Sequence, residues 1–540
     1  LELKSFSTFI LLIVIFTVTI QNETSAFQNS PATNKKEFSV AELTIKEVHA
    51  AFKKGTLTAE ELVTAYLNRI QKFDQPTRIN AITVVNAKAL ESARLLDEEF
   101  KATGVLRPLH GIPVIVKENI NVAGMETTAG SLALKGYMPK EDAHIVAQLK
   151  KAGAIILAKS NMAEWGINSN VTISSLTGET LNPYNTAYAT AGSSGGTAAA
   201  IASNFGMVGI GTDTGGSIRG PSSHNALVGV RPSMGLISRK GMVPLNLRND
   251  VPGPMTRTVE DAAKVLEVIN GYDPNDPLTE YGKGKIPDSY TKNLKRGALS
   301  GVRIGVFRKI SDYASPEIDT LFDQAVEDLR RMGAIIVDPF DVPGFDALRH
   351  DQWCSVFQDD LNAFLSELGE DAPVKSLREL IASGKFSKYI ESDLINYEKY
   401  MNQQGETVCG GPFSDAKRMA FRDAIESSMN RNRVDAIIYP SWNKPPVKAS
   451  TYQTLGDNNH IIAPHTGQPA ITVPMGFLGE NLPAGIQFLG RIFEDHKVLS
   501  YAYAYEAGTK HRKSPNLPQA VNMAEKKPVK KSWTGSPTGH

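Results

Sequence analysis

Only two cysteines occur in the 540 residues, Cys354 and Cys409, and neither has CxxC spacing or a neighbouring pair of histidines. A zinc centre built on thiolates is therefore excluded. One disulfide between them and two separate small apolar side chains both remain open, because 55 residues of separation fix no distance in space. An excess of charge of either sign is lacking too. The 58 Lys and Arg against 57 Asp and Glu give a formal net charge of +1. No global basic field attracts phosphate backbones, and no local basic patch interrupts the body of the chain, so nucleic acid is not expected as a partner. The histidines, such as His110, His144, His224 and His465, show neither H-x-x-x-H nor facial-triad spacing. No metal is expected, although His224 and His465 could reach the rim of a site. Beyond the first thirty residues no apolar run approaches the ~20 residues of a membrane span.

What is present is the profile of a soluble globular protein, 41% hydrophobic and 21% charged. Its length suits several average domains or one elaborated α/β sheet. At the start, Lys4 precedes an apolar run over 6–20, followed by polar Gln21-Asn22-Glu23 and small Thr24-Ser25-Ala26. This pattern predicts a signal peptide over 1–26, cleaved near Ala26; the run is short for a membrane anchor, the competing reading. The mature protein is then expected to be secreted or periplasmic, with no stable membrane anchor. Residues 513–540, basic and without apolar period, are expected to be a solvated tail.

Between these ends, Thr58-Ala59-Glu60-Glu61 forms a capping-box pattern ahead of a 3.6-period apolar series, Leu62, Val63, Tyr66, Leu67 and Ile70. Strand-like apolar runs follow at 112–116, 154–158, 207–210, 302–307, 334–337, 436–439, 470–473 and 485–489. Several are apolar throughout, which suggests strands covered on both faces. Helical patterns at 87–100, 142–151, 197–203, 259–269 and 318–331 alternate with them. The alternation predicts one α/β/α layered domain around a long mixed β-sheet, spanning about 40–512. Residues 345–430, rich in helical pattern and poor in strand runs, are expected to form an inserted helical lobe.

Three segments place reactive groups beside glycine-rich backbone. In Gly111-Ile112-Pro113-Val114-Ile115-Val116-Lys117 an ammonium follows directly on an apolar strand. Drawn inward it would lose hydration and become a neutral base; the bland alternative is a strand-end lysine snorkelling to water. Gly192-Ser193-Ser194-Gly195-Gly196 runs into a helix of small residues. Its hydroxyls suit a proton relay, but the segment also fits G-x-S-x-G with Ser194 as nucleophile, or a plain flexible loop. In Thr212-Asp213-Thr214-Gly215-Gly216-Ser217-Ile218-Arg219 the strand breaks into a glycine turn. Consecutive backbone N–H groups converging there would form an oxyanion hole, with Ser217 as the natural nucleophile.

Together these segments closely resemble the amidase signature family, serine hydrolases with a Ser, cis-Ser, Lys triad. The likeness extends over most of the chain, from about Leu43 through Pro464-His465-Thr466-Gly467-Gln468-Pro469 to Glu506. It implies Ser217 as nucleophile, Ser193 as bridging serine and Lys117 as base. It further implies an oxyanion hole from the N–H groups of Thr214, Gly215, Gly216 and Ser217, with Ser194 and Arg219 in support and Trp165 either in the substrate pocket or in the core. Hydrolysis of carboxamides through an acyl-enzyme follows, with no cofactor. Secreted bacterial peptide amidases, which act on C-terminal peptide amides, look most similar; a monomer or homodimer acting on a small-molecule or peptide amide is expected. The alternatives are a glutamine-using amidotransferase component that works with partner subunits, and a non-catalytic amide-binding protein on the same fold. Departures from the family pattern are Ala191, Thr197 and Glu118, none of them a reacting group.

Overall fold

Eleven short, largely apolar segments assemble into one sheet in the structure, a computed structural model that describes residues 38–404, 409–453, 455–517 and 520–521. In chain order they are β1 (Ile82–Val85), β2 (Pro113–Lys117), β3 (Ile155–Ser160), β4 (Val208–Asp213), β5 (Val228–Arg231), β6 (Val251–Thr256), β7 (Arg303–Val306), β8 (Ile335–Val337), β9 (Ala436–Pro440), β10 (Ala470–Phe477) and β11 (Pro483–Leu489). Their order across the sheet is β8-β7-β9-β11-β10-β5-β6-β4-β2-β3-β1. Parallel pairing joins β8, β7 and β9 at one end and β4, β2 and β3 near the other, and the remaining pairs are antiparallel. The sheet is thus mixed, as the alternation of patterns predicts.

Eight of these strands fall on the expected apolar runs. Three do not: β1, β5 and β6. In β6 two prolines stand inside the strand, Pro252 and Pro254, a composition that argues against a central strand. It is tolerated because β5 pairs only with Met255 and Thr256, so beside both prolines there is no second ladder to interrupt.

The helix Ala59–Phe73 begins where the capping box requires. Thr58 Oγ1 accepts from the Glu61 N–H (3.1 Å) while Glu61 Oε2 accepts from the Thr58 N–H (3.1 Å). Its periodic residues Leu62, Val63, Tyr66, Leu67 and Ile70 are all buried in the main core beside the sheet. From 345 to 431 the described residues form helices Phe345–Arg349, Phe357–Leu368, Leu377–Ser383, Glu391–Gln404 and Ala416–Arg431, and no strand. Phe357, Leu361, Leu365, Leu377, Leu380 and Leu394 of this lobe pack on Ala133, Met162, Trp165 and Val243 in a second core. Burial of each such side chain contributes about 2 kcal/mol, so the lobe is firmly docked over the loops that follow β2 and β3.

The expected signal peptide, 1–26, lies outside the described residues, as does most of the basic tail. The first tail residues are attached to the domain: the Tyr184 hydroxyl donates to the Lys513 carbonyl (2.5 Å), and Leu517 packs on the main core. Among the described residues no helix is long and apolar enough to cross a membrane.

Candidate active site

The parallel register of β2 and β4 sets Val116 opposite Ile210, so Lys117, the last residue of β2, lies two residues short of the end of β4 at Asp213. The site opens at the carboxyl ends of the two strands, the usual position in sheets with parallel strands. Lys117 is fully buried and its Nζ has three oxygen neighbours: Ser193 Oγ (2.7 Å), Thr212 Oγ1 (2.8 Å) and the Thr212 carbonyl (3.4 Å). Burial lowers the lysine from its ordinary 10.5 to about 7, and the carboxylates of Asp250 and Asp213 offset only part of that loss. Lys117 can therefore give up its proton near neutral pH, and its complete burial excludes the snorkelling alternative.

Ser193 arrives from the loop ahead of the helix Gly195–Ala202, across a cis Gly192–Ser193 peptide bond. Only glycine fits at 192, because an added Cβ would collide with the carbonyl oxygens of Asn168 and Val171. Ser194 is turned away from solvent: its Oγ donates to the Thr212 carbonyl (3.1 Å) and its N–H donates to the Ser217 carbonyl (3.2 Å). That clamps the Ser193 loop to the Ser217 turn and leaves Ser194 without access to a substrate, which rules out the G-x-S-x-G reading.

Ser217 stands on the turn between β4 and the helix Arg219–His224 and lines a cavity of about 390 Å³. The turn is shaped by Asp213. This buried carboxylate accepts from Arg219 Nε and Nη2 (3.1 Å each) and Arg231 Nη1 (2.7 Å), and from the backbone N–H groups of Gly216 (2.9 Å) and Ile218 (3.1 Å). Burial alone would raise its pKa, but the two guanidinium groups outweigh that and hold it far below the usual carboxylate range. Arg219 reaches on to Asn459 and Gln487, so the supporting place expected for it is one of ion pairing to Asp213. One expectation is corrected here. The Gly216 N–H is directed at Asp213, not at the cavity, which leaves those of Thr214, Gly215 and Ser217 as the donors able to face a developing oxyanion. Gly216 is required for another reason: its φ is +120° and an added Cβ would lie 2.5 Å from Asn459 Cβ.

Trp165 is not a cavity residue. It is 2% exposed and packs edge-on against Phe357 in the second core, while its neighbours Gly166 and Ile167 reach the cavity. The histidines expected at the rim do not line it either: His224 is buried against Trp442, and His465 lies behind Trp353 with its Nδ1 beside Arg418. Sequence reasoning missed His460, which among the described histidines does line it; Asp457 lies beside it, and that carboxylate raises its pKa against the opposing effect of burial. It also missed Thr212, Arg231 and Asp250. The last accepts from the Thr214 hydroxyl and from the N–H groups of Leu245 (2.9 Å) and Asn246 (3.0 Å). Glu118, which departs from the family pattern, accepts from Thr83 and Thr128 hydroxyls (2.8 and 2.9 Å) beside buried Lys159, and so braces the strand end that carries Lys117.

The cysteines lie together. Their Cα atoms are 6.2 Å apart, within the span of a disulfide, and Cys354 lines the cavity between Trp353 and Ser355.

A mixed sheet with a buried Lys–Ser contact beneath a serine on a glycine turn defines a class of serine hydrolase, and sequence comparison agrees: the profile of the Amidase family matches residues 61–499, and the chain belongs to that family. A probable amidase of Arabidopsis thaliana is 34% identical to it over 89% of this chain and 92% of that protein. A glutamyl-tRNA(Gln) amidotransferase component of Alkaliphilus metalliredigens is 31% identical over 86% of this chain and 96% of its own length. Among solved structures, the native peptide amidase from Stenotrophomonas maltophilia aligns with a TM-score of 0.77 at 34% identity, covering 88% of this chain and 98% of that one. The protein is an amide-hydrolysing enzyme.

Proposed function

We propose that the enzyme is exported and hydrolyses C-terminal amides of peptides, or similar small amides, through an acyl-enzyme on Ser217. The observation that carries the mechanism is the 2.7 Å contact between Lys117 Nζ and Ser193 Oγ, on a loop whose next residue, Ser194, donates its N–H to the Ser217 carbonyl (3.2 Å). Neutral Lys117 accepts the Ser193 proton as Ser193 accepts that of Ser217, whose oxygen attacks the amide carbon. The oxyanion of the tetrahedral intermediate is met by the N–H groups of Thr214, Gly215 and Ser217. The relay then runs backwards and protonates the departing ammonia or amine, and water, activated by the same relay, releases the acid from the ester.

The peptide reading is supported by likeness to the Stenotrophomonas maltophilia peptide amidase and by a cavity large enough for a terminal residue. Export is supported by the leader pattern of 1–26 and by the adjacent cysteines, since disulfides persist in oxidising compartments. The test is ammonia release from peptide amides, aliphatic amides, aryl amides and glutamine, each beside Ser217→Ala. Release from peptide amides that disappears in the variant is expected. Release from small amides only would retain the mechanism and remove the peptide assignment; release from glutamine only when partner proteins are added would favour an amidotransferase role.

A further inference from the structure

Residues 350–356 cross the cavity mouth as an irregular stretch between the helices Phe345–Arg349 and Phe357–Leu368, with no strand ladder to hold it. Trp353 sits on this stretch. Its indole is 49% exposed, stands edge-on to His465 at 4.8 Å, and approaches Gly215 so closely that a Cβ there would lie 3.2 Å from Trp353 Cη2. The ring thus forms a wall of the cavity two residues from Ser217 along the nucleophile turn. The rest of the lining mixes apolar Ile167, Leu245 and Phe357 with polar Asn246, Asp457 and His460, and among the described residues no lysine or arginine lines the cavity.

The stretch is held on both sides of the indole. Buried Gln352 donates from Nε2 to the Leu348 carbonyl (2.6 Å). The Cys354 carbonyl accepts from Asn246 Nδ2 (3.1 Å), and the Cys354 side chain is paired with Cys409. The Cys409 side of the pair is anchored independently, because Arg248 Nε donates to the Gly410 carbonyl (2.7 Å) and Arg248 Nη2 to Asp415 Oδ2 (3.0 Å). The covalent tie therefore fastens the Cys354 side of this stretch to the segment that Arg248 anchors.

We propose that the Cys354–Cys409 disulfide is a positioning element for substrate selection: it holds Trp353 over the cavity so that the enzyme favours amides whose acyl part carries a large apolar or aromatic group. This deepens the peptide-amide reading and rests on it. Reduction by dithiothreitol transfers two electrons and two protons to the S–S bond, giving two thiols and the cyclic disulfide of the reagent. With the tie gone, the indole leaves Gly215 and its contact with the substrate is lost, while the Lys117–Ser193–Ser217 relay, on other elements, is untouched.

The experiment compares an N-acylated phenylalanine amide with an N-acylated glycine amide on the oxidised and reduced purified enzyme, well below the Tm of each form. Reduction is expected to raise KM for the phenylalanine amide roughly fivefold, the scale of one aromatic contact, with kcat and the glycine amide changed less than about twofold. Reoxidation restores the preference. Cys409→Ser reproduces the reduced enzyme and ignores the reductant, and in Trp353→Ala reduction no longer alters the ratio. An unchanged ratio, or an equal loss on both substrates, overturns the proposal. Inactivity toward both amides in either redox state would instead sink the peptide-amide reading. In that case the difference between wild-type and Trp353→Phe emission spectra still decides: a red shift on reduction is expected, and an unchanged spectrum overturns the coupling.

Discussion

Replacing Lys117 by methionine is expected to abolish turnover and yet stabilise the fold at neutral pH. The buried ammonium has a pKa of about 7 in the folded protein against 10.5 when free in the unfolded chain. A depressed folded value means that the unfolded state binds more protons throughout that window, so wild-type stability rises as pH rises from about 7 to 10.5. At about 1.4 kcal/mol per unit, burial of the lysine costs about 4 kcal/mol at pH 7 and about 2 kcal/mol at pH 9. Methionine carries no such penalty but forfeits the bonds to Ser193 and Thr212, worth roughly 1 kcal/mol each. The variant should therefore be about 2 kcal/mol more stable at pH 7 and nearly equal to wild type at pH 9. Urea unfolding of both proteins at pH 7, 8 and 9 measures this. The loss of about 2 kcal/mol in advantage across the range does not depend on the hydrogen-bond estimate. A stability difference that stays constant with pH would mean that Lys117 titrates alike in both states, and the account of a desolvated neutral base would fail.

Four further outcomes are expected. For wild type, kcat/KM should climb with pH through about 7 as Lys117 loses its proton. Thr212→Val removes an acceptor that favours the ammonium, so the inflection should move to lower pH; a shift upward or none would contradict the role assigned to Thr212 Oγ1. Asp213→Asn leaves Arg219 and Arg231 buried without their counter-charge and should cost about 3–5 kcal/mol in denaturant unfolding. Gly216→Ala should lose nearly all turnover, since the +120° φ and the approach of Asn459 both force the nucleophile turn to move; near wild-type kcat would show that the turn is tolerant.

The sheet was legible where both faces of a strand are covered, because runs such as Val114–Val116 and Ile437–Ile438 are apolar without alternation. It was illegible in β6, whose Val-Pro-Gly-Pro-Met-Thr sequence reads as a turn and becomes a strand only because one of its edges is left unpaired over the prolines. Lys117, Ser193 and Ser217 could be found in sequence because each sits in a segment with its own glycine or strand signal. Thr212 carries no such signal beyond lying next to the turn, and Arg231 lies at the end of a strand that the pattern did not announce. Both matter through register: the alignment of β2 with β4, and the reach of a guanidinium back to Asp213. Trp165 shows a different case, where the family resemblance left the pocket and the core both open. Its backbone φ of +55° directs the ring into the second core. His460 follows a loop with no periodicity, and only the fold brings it beside Ser217.

The most direct test of the central claim is to trap the nucleophile. Purified enzyme treated with a fluorophosphonate at pH 8 and digested for mass spectrometry should carry one adduct, on the peptide containing Ser217, and labelling should slow sharply in Lys117→Met. An adduct on Ser194, or labelling of Ser217 at an unchanged rate without the lysine, would contradict the Lys117–Ser193–Ser217 relay.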